Sequence, residues 1–163
     1  MQSFSLNSPI DVDEFVETGV LGPFHRHMSL AELKGVASDL SVALQRFSED
    51  QHFYYIGHIL FDCTSDPTIR GCNISLYFPH PTTRHSQEYD FSTWPDPRFN
   101  WVLNKIKPGI EFSDAMRLYP EFEQRGAGQS TTDLKNNAAN VMLLFDQVRS
   151  SGKSELILAQ AQL

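Results

Sequence analysis

Gly22-Pro23-Phe24-His25-Arg26-His27-Met28-Ser29-Leu30-Ala31-Glu32-Leu33-Lys34-Gly35-Val36-Ala37-Ser38-Asp39-Leu40 is a turn running into an amphipathic helix, with Leu30, Leu33, Ala37 and Leu40 along one face. Lys107-Pro108-Gly109-Ile110-Glu111 leads in the same way into Phe112, Ala115, Tyr119 and Phe122, each lying 82 residues beyond its counterpart, half the length of a 163-residue chain. Downstream, Ile59-Leu60-Phe61-Asp62 is echoed by Leu143-Leu144-Phe145-Asp146 at an offset of 84. Repetition at a fixed period predicts repeated architecture. The expected fold is therefore α+β, as two tandem helix-helix-antiparallel-sheet lobes related by internal duplication. Residues 1–80 would form the first lobe, 81–98 a Pro-rich connection and 99–163 the second lobe. The alternative is that two ordinary helix-then-strand runs fall at this distance by chance.

Asp11 to Glu17 reads as a short acidic helix that buries Val12, Phe15 and Val16 and ends at Gly19. Ser29-Leu30-Ala31-Glu32 matches a capping box, in which Ser29 accepts the Glu32 N–H and Glu32 reaches back, so the second helix starts there and runs to about Leu40. Aromatic and β-branched enrichment predicts strands at Val42 to Phe47, Phe53 to Phe61 and Cys72 to Phe78. Pro79, Pro81, Pro95 and Pro97 break regular structure and bracket the connection. Beyond it, Phe99 to Ile106 and Ser113 to Phe122 read as helices, the second ended or kinked by Pro120. Arg125 to Thr132 reads as a mobile polar loop, and Val141 to Val148 with Glu155 to Leu163 as a closing hairpin.

The composition, 40% hydrophobic with twelve Phe, five Tyr and two Trp, supports a folded core that buries about two-thirds of the unfolded surface. Thirteen basic against twenty acidic side chains give a net charge of −7, which disfavours nucleic acid and anionic membrane and favours a cationic protein partner. The start of the chain, Met1 to Pro9, lacks the basic and apolar pattern of a secretory signal, and no apolar run approaches the ~20 residues of a membrane span. A cytoplasmic location is expected, where Cys63 and Cys72 would be free thiols; the alternative is a disulfide, since their nine-residue separation across a turn could place them on facing strands.

No spacing of the six histidines with the cysteines gives a zinc set, so no metal or cofactor is expected. Gly126-Ala127-Gly128 lacks the Lys-Ser/Thr of a phosphate loop. Asp62 and Asp146 end matched apolar runs and read as solvated carboxylates as readily as an acid/base pair. No catalytic residue is assigned. Candidate partner contacts are Asp11, Asp13, Glu14 and Glu17 on the first helix. Glu88, Tyr89, Asp90, Trp94 and Asp96 in the connection join them, because acids beside aromatic anchors suit a protein-docking loop.

Phe15-Val16-Glu17-Thr18-Gly19-Val20-Leu21-Gly22-Pro23-Phe24, Met28-Ser29-Leu30-Ala31-Glu32-Leu33 and Tyr55-Ile56-Gly57-His58-Ile59-Leu60-Phe61 together resemble small bacterial proteins found near polymorphic-toxin and contact-dependent competition loci. Their pattern looks like the helix-helix-sheet unit of the β-lactamase-inhibitor-protein and small outer-membrane-assembly lipoprotein superfamily, with 108–110 standing for the Gly-Met turn in a second copy. His27 replaces the glycine before Met28, and Ser38-Asp39 replaces the usual end of the first helix. The resemblance implies a binding scaffold whose concave sheet grips another protein. The expected function is that of a non-catalytic immunity protein, monomeric when free, that binds and inhibits a cognate bacterial toxin. The alternatives are a secretion chaperone for an effector, which a stable homodimer would favour, and an enzyme using Cys63, Cys72 or His58.

Overall fold

Local chemistry sets the first helices where the sequence places them. The computed structural model describes residues 4–46, 52–63, 70–79, 94–127, 131–148 and 152–163. Strand β1 (Pro9–Asp11) runs into α1 (Val12–Thr18) through Asp11, whose carboxylate accepts the N–H groups of Asp13 and Glu14. Gly19, at φ 78°, closes α1 in the left-handed conformation that glycine adopts without a Cβ clash. Two short strands, β2 (Val20–Leu21) and β3 (Phe24–His25), form a hairpin ahead of α2 (Leu30–Asp39), which opens with the expected capping box of Ser29 and Glu32.

The remaining strands are β4 (Gln45–Arg46), β5 (Phe53–Ile56), β6 (Ile59–Cys63), β7 (Cys72–Tyr77), β8 (Asn100–Val102), β9 (Glu123–Ala127), β10 (Thr131–Asn136), β11 (Val141–Gln147) and β12 (Ser154–Ala161). The third helix, α3, spans Phe112–Leu118. Eight strands make one antiparallel sheet in the order β4-β5-β6-β7-β12-β11-β10-β9. Two meanders meet at its centre, where Tyr77 pairs with Leu158 and Ile74 with Ala161. Strand β1 pairs in parallel with β8, outside the large sheet.

This arrangement overturns the expected pair of helix-helix-sheet lobes. The chain is mostly β, one continuous sheet carrying three short helices among the described residues. The 82-residue echo marks a helix-then-strand run in each half and does not mark two lobes. Where the second lobe needed a first helix, Phe99 to Ile106 forms β8 and a bend. Two features explain this: Ile10 and Asp11 supply a strand partner, and Asp13 takes up the Lys105 and Ile106 N–H groups that a helix would have used internally. The stretch 53–61 is two strands because Gly57, at φ 55°, turns the chain. In 125–132, expected as a loop, residues 125–127 belong to β9 and Thr131-Thr132 opens β10.

Alternation on the strands sorts side chains to two faces. One face carries cross-strand rows such as Ile56–Ile59–Leu76–Ala159–Leu143–Leu134 and Phe61–Ile74–Ala161–Val141. These residues are buried in the main core with Val12, Phe15 and Val16 of α1, Leu33 and Ala37 of α2, and Ala115 of α3. Edge-to-face ring pairs tie the elements above this face to the sheet, Phe24 of the β2–β3 hairpin on Phe61 at 5.1 Å and Phe112 of α3 on Phe145 at 5.4 Å. From β10, Asn136 donates to the Val16 and Glu17 carbonyls, satisfying the end of α1 with a sheet residue.

Cys63 and Cys72, expected as free thiols, form a disulfide. They are register partners at the ends of β6 and β7, the facing-strand placement that their nine-residue separation left open. Among the described residues, no helix is long and apolar enough to cross a membrane.

Candidate functional site

The second face of the sheet carries no helix among the described residues. One cross-strand row on it reads Tyr55–Leu60–Ser75–Gln160–Met142–Lys135–Glu123, and the next reads Tyr77–Leu158–Leu144–Asp133–Arg125. A register shift between Leu144 and Phe145 inserts Ile157 as an extra residue. Ile157 packs with Tyr77 and Leu158 in a second apolar cluster, separate from the main core, with Leu60 and Leu144 half-buried against it. Phe53, Tyr55 and Met142 are also half-buried on this side.

Polar groups cross the same face as a chain of hydrogen bonds. The Lys135 ammonium donates to Gln162 Oε1, Gln162 Nε2 donates to Gln160 Oε1 at 3.1 Å, and Gln160 Nε2 donates to Ser75 Oγ at 2.9 Å. Lys135 is buried, and burial, followed by the charges of Arg125 and Arg26, lowers its pKa. Asp146 stands directly opposite Glu155. Like charges in facing positions cost stability, so this pair is an acidic margin that packing alone does not favour. Burial holds the nearby Asp133 carboxyl above the usual carboxylate range.

The candidate contacts on α1 divide by what their carboxylates do. Asp11 caps its own helix, and Asp13 is buried and accepts from the backbone of Lys105 and Ile106 at 2.8 to 3.1 Å. Glu14 is exposed, and Glu17 is half-exposed with its carboxylate 3.2 Å from the Lys105 ammonium. Glu88, Tyr89 and Asp90 lie outside the described residues. Trp94 donates its indole N–H to the Tyr77 carbonyl at 2.9 Å and packs on Phe78. Asp96 is buried under a bidentate Arg98, and its backbone carbonyl accepts the Trp101 indole N–H. Burial pushes the Asp96 pKa up, but the hydrogen bonds and charge of Arg98 outweigh it and hold the carboxyl below its ordinary value. Trp94 thus packs against the main core and not on the helix-free face, and Asp96 lies at the β5–β6 turn, where Gly57 packs on its carboxylate.

A second feature lies at α3. The turn before it borders an open groove of about 460 Å³ lined by Asn104, Lys105, Lys107, Ile110, Asp114 and Leu118. Beside it Tyr119 is buried and stacked on Phe122 at 4.5 Å, and among the described residues its hydroxyl finds no hydrogen-bond partner. Burial, then the negative charges of Asp13, Glu17, Glu121 and Asp11, raises its pKa far above the ordinary tyrosine value. A buried unsatisfied hydroxyl is destabilising, so Tyr119→Phe should stabilise the protein by about 1 kcal/mol and raise its melting temperature by about 2–4 °C. A lower melting temperature would show that the hydroxyl is satisfied.

Sequence reasoning missed Tyr55, Leu60, Met142 and Leu144 as surface residues because they sit inside apolar runs. The usable signal was the period-2 alternation in 141–147, which puts Met142, Leu144 and Asp146 opposite Val141, Leu143 and Phe145. Among the described residues, no group of three His, Cys, Asp or Glu is placed to hold a metal ion. No protein-family model matches the chain, and neither a curated protein nor a solved structure matches it.

Proposed function

We propose that the chain is a non-catalytic immunity-type protein that binds a cognate bacterial toxin and inhibits it by covering its active site. The observation that carries this reading is the helix-free sheet face, on which half-buried Tyr55, Leu60, Met142 and Leu144 lie among amides and an acidic margin. Aromatic and aliphatic anchors within a polar surround are the composition of a protein interface. The net charge of −7 favours a cationic partner by steering its approach. Exposed Glu14 and Glu17 add to that field whether or not they touch the partner.

Co-expression with the product of a neighbouring toxic gene tests the reading: cells should survive, and the two proteins should co-purify. Leu144→Arg, in the middle of the second cross-strand row, should weaken that complex at least ~10-fold, as expected for a central anchor. Failure to rescue from any neighbouring gene would remove the reading.

A further inference from the structure

Four parts of the chain meet at one corner of the sheet. Cys63 ends β6 and Cys72 opens β7, with their Cα atoms 4.3 Å apart. That is the spacing of a non-hydrogen-bonded antiparallel pair. The backbone agrees, because the Cys63 N–H donates outward to the His52 carbonyl at 2.9 Å and the Cys72 N–H to the Arg26 carbonyl at 2.8 Å. The Arg26 guanidinium reaches the Ala139 carbonyl, and the Leu163 N–H donates to Asn73 Oδ1 at 2.8 Å. The bond therefore sits where the segment before α2, the β6–β7 edge and the C-terminal residues join. Both cysteines are at most 5% exposed. A soluble reductant reaches such a bond only when the corner opens.

We propose that the Cys63–Cys72 bond is present in the working protein and secures this corner, and that the chain acts in an oxidising compartment. Bonds of this kind persist in secreted and envelope spaces and are kept reduced in the cytosol. The bond is made by exchange with a disulfide-donating oxidoreductase. One cysteine thiolate displaces a donor sulfur to give a mixed disulfide, and the second cysteine thiolate breaks it. The chain's two thiols lose two protons and two electrons, and the donor disulfide becomes a dithiol. On the inhibitor reading, on which this last step rests, the partner toxin has its target in that same oxidising space.

Thiol state in the producing cells tests the proposal directly. Cells making the full chain are quenched in acid and treated with a maleimide mass tag before and after reduction. No tag before reduction and two after it are expected; two tags before reduction would overturn the proposal. With the purified chain, the Cys63→Ser/Cys72→Ser variant should melt about 5–10 °C below the oxidised protein, the effect of releasing a short closed loop in a chain of this size. Equal melting temperatures would show that the bond does not secure the corner and would also overturn it. Thiols found reduced would overturn this proposal and leave the inhibitor reading standing. An intact bond with no partner captured would sink the inhibitor reading alone.

Discussion

Replacing Asp13 with alanine should cost about 3–5 kcal/mol of stability, the largest loss expected from any single carboxylate described here. Its oxygens accept three contacts from two backbone donors, Lys105 N–H at 3.1 and 3.0 Å and Ile106 N–H at 2.8 Å. The alanine variant would leave both donors without an acceptor, beside an Ile106 side chain that is fully buried. An orphaned buried donor costs about 1–3 kcal/mol, and two such costs come on top of the lost charge assistance. Asp13→Asn keeps one acceptor oxygen and should lose about half as much. Urea denaturation of the three proteins checks the order, and a loss under 1 kcal/mol for alanine would show that water serves these amides. The same result bears on function. A residue read from sequence as a candidate partner contact would then be one that holds α1 to the turn before the groove.

Gly71→Ala should be the second severe change, costing ~3 kcal/mol or more. Gly71 has φ 120°, outside the regions that L-residues with a Cβ occupy comfortably. An added Cβ would also collide with the Arg26 carbonyl oxygen, the acceptor of the Cys72 N–H, and with the Leu163 side chain. Backbone and carbonyl have little freedom to move apart at a corner already fixed by the disulfide. The same denaturation measurement applies, and a variant within 0.5 kcal/mol of the parent, the usual range of harmless surface changes, would contradict the tight approach of 26 to 71.

What could be read from the residues alone was what neighbouring residues decide among themselves. Ser29 and Glu32 fix the start of α2 within four positions, Gly19 ends α1, and the alternation of 72–78 and 141–148 marks strands. Strand β10 escaped because Thr131-Thr132-Asp133-Leu134-Lys135-Asn136 carries one large apolar side chain, Leu134, and owes its pairing to β11 on one side and β9 on the other. Strand β8 escaped because its partner, β1, lies some ninety positions earlier in the chain. The candidate surface was hidden for a related reason. Leu60 and Leu144 look like core in sequence, and only the position of the helices on the opposite side of the sheet distinguishes them from Ile59 and Leu143. The disulfide likewise depends on register, which sets Cys63 against Cys72 and not against a neighbour.

The sheet's strand order has a consequence for biogenesis. Strand β12, the last in chain order, is flanked by β7 and β11 in the middle of the sheet. While a ribosome is still making residues 154–161, the earlier meander presents β7 as a bare, hydrogen-bond-hungry border, open to mispairing with other nascent chains. The sheet cannot close until β12 has left the ribosome, and the long loop closure this demands makes folding slow compared with a helical chain of equal length. Premature termination before residue 154 would delete the seam itself and would leave two half-sheets with no common strand.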